Sequence, residues 1–358
     1  MAEQLIVGAG LSGLVAAINL ARTGHKVRVL EKYKTVGGQP ERWPAVDVTP
    51  MVAETLGDYI GIPLGAPQIK PCSSLTGYFW GREYDVPLRW SNLCCVERGP
   101  RKTGLEGYLL DIALSEGVEV EFEQPVLGQG ELAKLPPNTI VATGLYAETF
   151  DALGVPYEMG YCYGGKGRSD RDSEALIYFA DYTSDYAYWA SLNGIDMMFF
   201  FTRKPIKKED FAAFEREIER TQGFKYTEWL AGYGPTPTVR FSNPRLFAGD
   251  KILAGTVSGM MEPFVLFGVH GALVSGKIAA LAVEDKALAL EEFRKSLTGW
   301  KTRLFNRKMY SRTPVAARRA AVVALNEVLS SLGDAGSAVL GGAFRAVPGY
   351  VMVNRQGA

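Results

Sequence analysis

Gly8, Gly10 and Gly13 lie in the run Gly8-Ala9-Gly10-Leu11-Ser12-Gly13, directly after the apolar Leu5-Ile6-Val7, and Glu31 stands eighteen positions past Gly13. These residue types at this spacing suit one task, holding the pyrophosphate of a dinucleotide. Phosphates need backbone N–H groups and the positive end of a helix dipole, and the chain must turn tightly without a Cβ in the way. Gly8 supplies the turn, Gly10 the close approach to phosphate, and Gly13 the close packing of helix on strand. A carboxylate at Glu31 accepts hydrogen bonds from both ribose hydroxyls and repels a 2′-phosphate. Flavin and nicotinamide dinucleotides satisfy this pattern equally.

The elements that must position these residues are legible around them. Residues 5–7 read as a central parallel strand, residues 14–22 as a buried helix stopped by Gly24, and residues 27–30 as a second strand ending at Glu31. The first 31 residues therefore make one βαβ unit. Residues 36–84 are rich in glycine, proline and aromatics and assign only a weak helix at 51–59. Residues 93–96 read as a strand, 104–116 as a helix closed by Gly117, and 118–122 as a strand by their period of two. Thr139-Ile140-Val141-Ala142-Thr143-Gly144 reads as a strand whose carboxyl end faces a ligand. Residues 175–201 are dense in Tyr, Phe and Trp around Asn193-Gly194, the signature of a type I′ hairpin in an antiparallel sheet. Phe211, Phe214 and Ile218 space a surface helix over 207–222, and residues 252–255 return to a buried strand ahead of a small-residue helix over 268–283. The tail from Ala289 reads as helical to Leu332 with a break at Pro314.

The expected fold class is α/β, with a Rossmann-type dinucleotide-binding domain from residues 1–70, 95–155 and 240–290. A second, antiparallel-sheet substrate domain takes 71–94 and 156–239, and 291–358 form a C-terminal helical region. The 358 residues suffice for several cores. Lys and Arg number 39, as do Asp and Glu, so no global field draws the chain to nucleic acid. Cys72, Cys94, Cys95 and Cys162 follow no metal spacing, so no metal site is expected, and a reducing cytoplasm is the simpler setting. No basic leader or cleavage site precedes the first strand. Residues 252–283, the most apolar stretch, are interrupted by Glu262, Pro263, His270 and Lys277, which argues against a membrane span.

Three segments carry a resemblance. The Gly8–Glu31 unit followed by Val36-Gly37-Gly38 resembles the opening of FAD-dependent oxidoreductases. Cys94-Cys95-Val96-Glu97-Arg98, the helix after it and Ala142-Thr143-Gly144 resemble the middle of the geranylgeranyl reductase and aromatic hydroxylase (p-hydroxybenzoate hydroxylase-like) group. Ile252-Leu253-Ala254-Gly255-Thr256-Val257-Ser258-Gly259, continuing through Pro263 and Gly268-Val269 to Ser275-Gly276, is similar to that group's second FAD motif. The resemblance implies FAD as cofactor, held by Gly8, Gly10, Leu11, Ser12, Gly13, Glu31, Lys32, Gly38, Arg98, Thr143, Gly144, Thr256, Gly259, Gly268 and Val269. Thr256 stands where the family has the aspartate that holds the ribityl chain. A helix starting at Gly268-Val269 would aim its N–H groups at the flavin edge that becomes anionic on reduction.

His270, one of two histidines, falls beside this segment and is a candidate proton shuttle or else a buried histidine bonded to backbone. Cys162, in Tyr161-Cys162-Tyr163-Gly164-Gly165, is a candidate thiol at the substrate or else a small buried hydrophobe. Between Glu292 and Glu327 no acidic residue occurs, while Lys295, Lys301, Arg303, Arg307, Lys308, Arg312, Arg318 and Arg319 do. That run, spanning 295–319, suits peripheral contact with an anionic membrane or a solvated face balanced by acids in space. The expected activity is hydride transfer between FAD and an apolar small molecule, an isoprenoid or lipid carbon–carbon bond. Alternatives are a flavin-dependent monooxygenase of an aromatic substrate and a flavin- or lipid-binding protein without turnover. No second GxGxxG unit stands in strand-then-helix context, so electrons are expected from transient NAD(P)H or a redox protein.

Overall fold

The structure, a computed structural model, describes residues 3–88, 91–224, 226 and 228–355. A six-stranded sheet runs in the order Phe247–Ala248, Lys251–Leu253, Ile140–Val141, Gln4–Val7, Val27–Leu30, Glu119–Glu121. All its pairings are parallel except the edge hairpin of Phe247–Ala248 with Lys251–Leu253. Gln4–Val7 is buried at every position, as a central parallel strand covered on both faces must be.

The first helix begins at Leu11, three residues earlier than the propensity pattern predicts. Gly10 is its extended N-cap, so Gly13 lies within the first turn and packs against the preceding strand end. An added Cβ at Gly13 would sit 1.9 Å from the carbonyl oxygen of Gly8. Gly8 itself has φ of 100° and a Cβ there would meet the Ala142 carbonyl at 2.5 Å. The helix Val269–Glu284 crosses the first helix just as closely, because Gly276 brings it onto Ser12, where a Cβ would be 2.5 Å from the Ser12 carbonyl.

A seven-stranded sheet forms the second layer, ordered Trp229–Thr236, Glu158–Arg168, Ile195–Thr202, Ala187–Leu192, Glu174–Phe179, Ser74–Phe79, Arg82–Asp85. It is antiparallel apart from the pairing of Glu174–Phe179 with Ser74–Phe79. Asn193 and Gly194 carry φ of 53° and 77°, the left-handed pair that a type I′ turn demands. The helix Lys208–Gln222 buries Phe214 and Ile218 on the sheet's outer face with Tyr178, Trp189 and Phe200.

The stretch 36–84 contains more structure than its composition announces. Ala45–Pro50 and Ile69–Pro71 flank Leu93–Arg98 in a three-stranded antiparallel sheet, and Ser74–Phe79 and Arg82–Asp85 join the large sheet. The tail breaks twice rather than once. Lys286–Ser296 ends before Gly299, which has φ of 82°, and Trp300–Arg312 ends before Pro314. Among the described residues no helix is long and apolar enough to cross a membrane.

The contact at Gly13 yields a test. Gly13→Ala places a methyl group where the Gly8 carbonyl stands, so the strand–helix turn must open at a cost of about 1–3 kcal/mol. The expected outcome is a lower urea midpoint with unchanged m-value.

Candidate active site

One cavity of about 380 Å³ lies between the two sheets, within the size range of roughly 300–1,000 Å³ for small-molecule and cofactor sites. Its floor is the strand–helix turn predicted from the glycine spacing. Gly8, Gly10, Leu11, Ser12, Glu31 and Lys32 all line it, and at Gly10 a Cβ would meet nothing within 4 Å, so the backbone there faces open space. Gly13 lies beneath, serving the packing role described above. The Glu31 carboxylate is buried, accepting from the Ala9 N–H at 2.7 Å and the Tyr33 N–H at 3.0 Å. Burial pushes this carboxyl above its usual range although both N–H donors oppose the shift. Lys32 sits over the Tyr146 ring at 4.2 Å, and the Tyr146 hydroxyl donates to that of Tyr33.

The second segment reaches the same cavity from the far end of the chain. Gly255, Thr256, Gly268 and Val269 line it, as do Thr143 and Gly144 from the strand end between them. Gly255 has φ of 70°, and its N–H donates to the Ser275 hydroxyl. The Thr143 hydroxyl is buried without a partner, as a group reserved for a ligand would be. Gly259 does not line the cavity. It caps the short helix Gly255–Ser258 at φ of 88° and packs against Pro244.

Gly38 and Arg98 line a third wall together with Trp43 and Asp47. Arg98 is bound by Glu106, at 2.7 and 2.5 Å, and by Asp47 at 2.5 Å. Burial disfavours its charge, but the two carboxylates outweigh that cost and raise its affinity for the proton. The arginine is therefore a rigid cation in the wall rather than a mobile one. Trp43 holds an indole N–H without partner. The roof is the inner face of the large sheet, where Tyr188, Met197, Phe199 and Phe201 project inward and Cys162 joins them. Cys162 is 8% exposed, and burial pushes its thiol up, with Arg42 opposing only in part. It packs with Ala45, Met197 and Phe199, the surroundings of a small hydrophobe.

Residues 6–55 match the family model of the NAD(P)-binding Rossmann-like domain. A crystal structure of a geranylgeranyl bacteriochlorophyll reductase-like protein from Thermoplasma acidophilum superposes with a TM-score of 0.69, covering 91% of each chain at 14% identity. p-Nitrophenol 4-monooxygenase from Pseudomonas putida superposes with a TM-score of 0.63, covering 94% of this chain and 96% of its own at 14% identity. The chain shares the fold of these two proteins and opens on a Rossmann-like dinucleotide-binding unit. In sequence, a flavin-containing monooxygenase, FMO GS-OX-like 3 of Arabidopsis thaliana, is 33% identical over 129 residues. That match takes in 34% of this chain and spans 27% of the relative's length.

His270 departs from its expected place. Neighbouring helical residues point about 100° apart, so while Val269 and Ala272 line the cavity, His270 turns to the opposite side and does not. Its Nδ1 lies 2.9 Å from the Pro348 carbonyl, its ring packs near Tyr350, and its Nε2 is buried without a partner. Burial pushes the imidazole down to about 4, against the weaker opposing pull of the Pro348 carbonyl.

The basic run at 295–319 also divides. Lys295 pairs with Glu291 and Glu292, Arg303 with Glu262 and Arg307 with Asp185, while Arg318 donates to the Ser184 carbonyl. Lys301, Arg312 and Arg319 remain outward. Sequence reasoning missed Asp47, Trp43 and the row from Met197 to Arg203. For the row a signal existed as far as Phe201, the alternation of Met197, Phe199 and Phe201 on one face of the Ile195–Thr202 strand.

The placement of His270 predicts a pH effect on stability. Its folded affinity for a proton lies below the ordinary value of 6.5, so below that pH the unfolded chain takes up the proton first. Stability is full above pH 6.5 and falls toward pH 4, by up to about 3 kcal/mol. In His270→Gln this slope should vanish from urea titrations, while the pH profile of flavin reduction stays that of the parent.

Proposed function

We propose that the chain is an FAD-dependent oxidoreductase that transfers hydride between flavin and an apolar substrate, an isoprenoid or lipid carbon–carbon bond. One observation carries this reading. The Gly8–Glu31 turn and the Gly255–Val269 segment, far apart in sequence, line a single cavity whose opposite wall is aromatic and apolar.

The residues present fit FAD. Gly8, Gly10, Leu11 and Ser12 offer the backbone cradle and helix start for a pyrophosphate, and Glu31 the carboxylate for a ribose. The Val269–Glu284 helix points its N-terminus into the cavity, where its dipole stabilises negative charge. Thr256 replaces the family's aspartate with a neutral hydroxyl, leaving this end of the site without that carboxylate. FAD, when bound, supplies the hydride acceptance and donation. The protein's own part is orientation, exclusion of water by Tyr188, Met197, Phe199 and Phe201, and a fixed positive charge at Arg98. In this reading the electrons come from outside, through transient NAD(P)H or a redox protein.

A monooxygenase acting on an aromatic substrate is the second reading, favoured by the likeness to the flavin-containing monooxygenase and to p-nitrophenol 4-monooxygenase. Oxygen uptake coupled to NAD(P)H oxidation would distinguish it from hydride transfer to a carbon–carbon bond. Peripheral membrane contact is a separate proposal, resting on the exposed Lys301, Arg312 and Arg319 and on Phe305, which is 55% exposed. Salt-sensitive co-sedimentation with phosphatidylserine vesicles would support it, and its absence would remove it.

The cofactor assignment is tested directly. Purified protein should show a flavin spectrum and release FAD on denaturation. Glu31→Ala, which removes the ribose acceptor and frees the Ala9 N–H, should lower FAD affinity by tenfold or more. Protein that stays colourless with added FAD overturns the proposal.

A further inference from the structure

The turn that delivers the Val269–Glu284 helix to the cavity is built around a carboxylate. Glu262 is buried, and its Oε2 accepts the N–H groups of Phe264 at 2.9 Å and Val265 at 2.5 Å. Its own N–H donates to the Phe267 carbonyl, and the Leu266 N–H donates back to the Glu262 carbonyl, each at 2.9 Å. Residues 262–267 thus close on themselves, fixed by local bonds of side chain to backbone rather than by a ladder. Gly268, the N-cap of the helix, follows directly, and Met261, Leu266, Gly268 and Val269 all line the cavity.

Leu266 has φ of 61°, the left-handed region that a residue with a Cβ adopts only at a cost. Such a conformation persists where the surroundings over-determine it. Here those surroundings lie behind the cavity wall. Glu262 Oε1 accepts from Arg303 Nε at 2.7 Å, and the Arg303 guanidinium stands 5.2 Å from the centre of the Phe264 ring. Tyr310 packs on the same ring at 5.3 Å. Trp300 Nε1 donates to the Met261 carbonyl at 3.0 Å, and from the large sheet the Tyr186 hydroxyl donates to the Val265 carbonyl. Trp300, Arg303 and Tyr310 belong to the helix Trp300–Arg312, and none of the three lines the cavity. A buried carboxylate deprived of its cation is costly, so the Glu262 turn depends on Arg303 to keep its form.

We infer that Arg303 is a positioning residue for the cofactor: acting through Glu262, it holds the Leu266–Val269 end of the turn, and with it the helix N-terminus, at the cavity. The inference rests on the FAD reading of that cavity, and it gives the Trp300–Arg312 helix a part in a site it does not touch. A helix N-terminus favours negative charge through its dipole and its free N–H groups, and the effect falls off within one turn. A small retreat of Gly268 and Val269 therefore weakens the hold on reduced, anionic flavin more than on the neutral oxidised form. The consequence is readable as a potential and not only as stability.

The test measures FAD affinity and the midpoint potential of bound flavin in the full chain, by equilibration with a reference dye. Arg303→Gln should weaken binding of reduced FAD tenfold or more relative to oxidised FAD, a fall of about 30 mV in the two-electron midpoint. Arg303→Lys, which keeps the charge, should recover at least half of that fall. Trp300→Phe deletes only the bond to Met261 and keeps an aromatic ring; it should move the midpoint the same way by less, and it carries the test if Arg303→Gln does not fold. Arg22→Gln breaks an ion pair with Glu116 at the end of the first helix and should leave the midpoint at the parent value. If the folded variants of Arg303 and Trp300 keep the parent's midpoint, if Arg303→Lys recovers nothing, or if Arg22→Gln moves the midpoint as far, the inference fails alone. A parent chain that takes up no FAD brings it down together with the cofactor reading.

Discussion

Ser12 lies where three backbones come within a side chain's width of one another. Gly13 beside it presses on the Gly8 carbonyl, Gly276 lies over its own carbonyl, and a Cβ at Gly255 would stand 2.6 Å from its hydroxyl oxygen. The absence of three side chains therefore lets the opening strand, the first helix and the Val269–Glu284 helix converge. Interiors are close-packed and do not stretch to admit extra atoms, so this convergence sets where the Gly-rich turn faces and where the second helix aims its N-terminus. The shape of the cavity floor depends on that one crowded contact.

The cavity walls differ in how they hold charge. Arg98 is locked by Glu106 and Asp47, and Glu31 by two backbone donors, so both are fixed with their partners satisfied. In the Arg203–Asp185–Arg307 group Arg203 Nε and Nη2, Arg307 Nε and the Asp185 Oδ1 acceptor are buried without hydrogen-bond partners, and the charges are held by ion pairs.

The nucleotide half was legible because its signals are local. A strand of three apolar residues, a glycine turn, a helix and an acid follow one another within 31 residues, and each obeys its own period. The Thr256–Val269 wall was legible only through likeness to a family, since nothing in its spacing names a partner 250 residues earlier. The stretch 36–84 resisted reading because its strands are three to six residues long and mix buried with exposed positions, too little for a period to emerge. His270 was misplaced for a different reason. Adjacency in sequence suggested adjacency in the site, whereas on a helix the next residue turns a quarter of the way round. The basic run showed the converse, because a one-dimensional absence of acids hid Glu262 and Asp185 waiting in three dimensions.

The strand order of the six-stranded sheet bears on how the molecule is made. Gln4–Val7 is made long before its neighbour Ile140–Val141, and the strand beyond, Lys251–Leu253, is made later still. The helix that packs on Ser12 follows those. Until they are made the glycine turn has no lid, and its apolar flanks, Ile6, Leu14 and Ile18 among them, lack the partners that bury them. The glycine turn is thus complete as a binding site only once the Val269–Glu284 helix has packed on it.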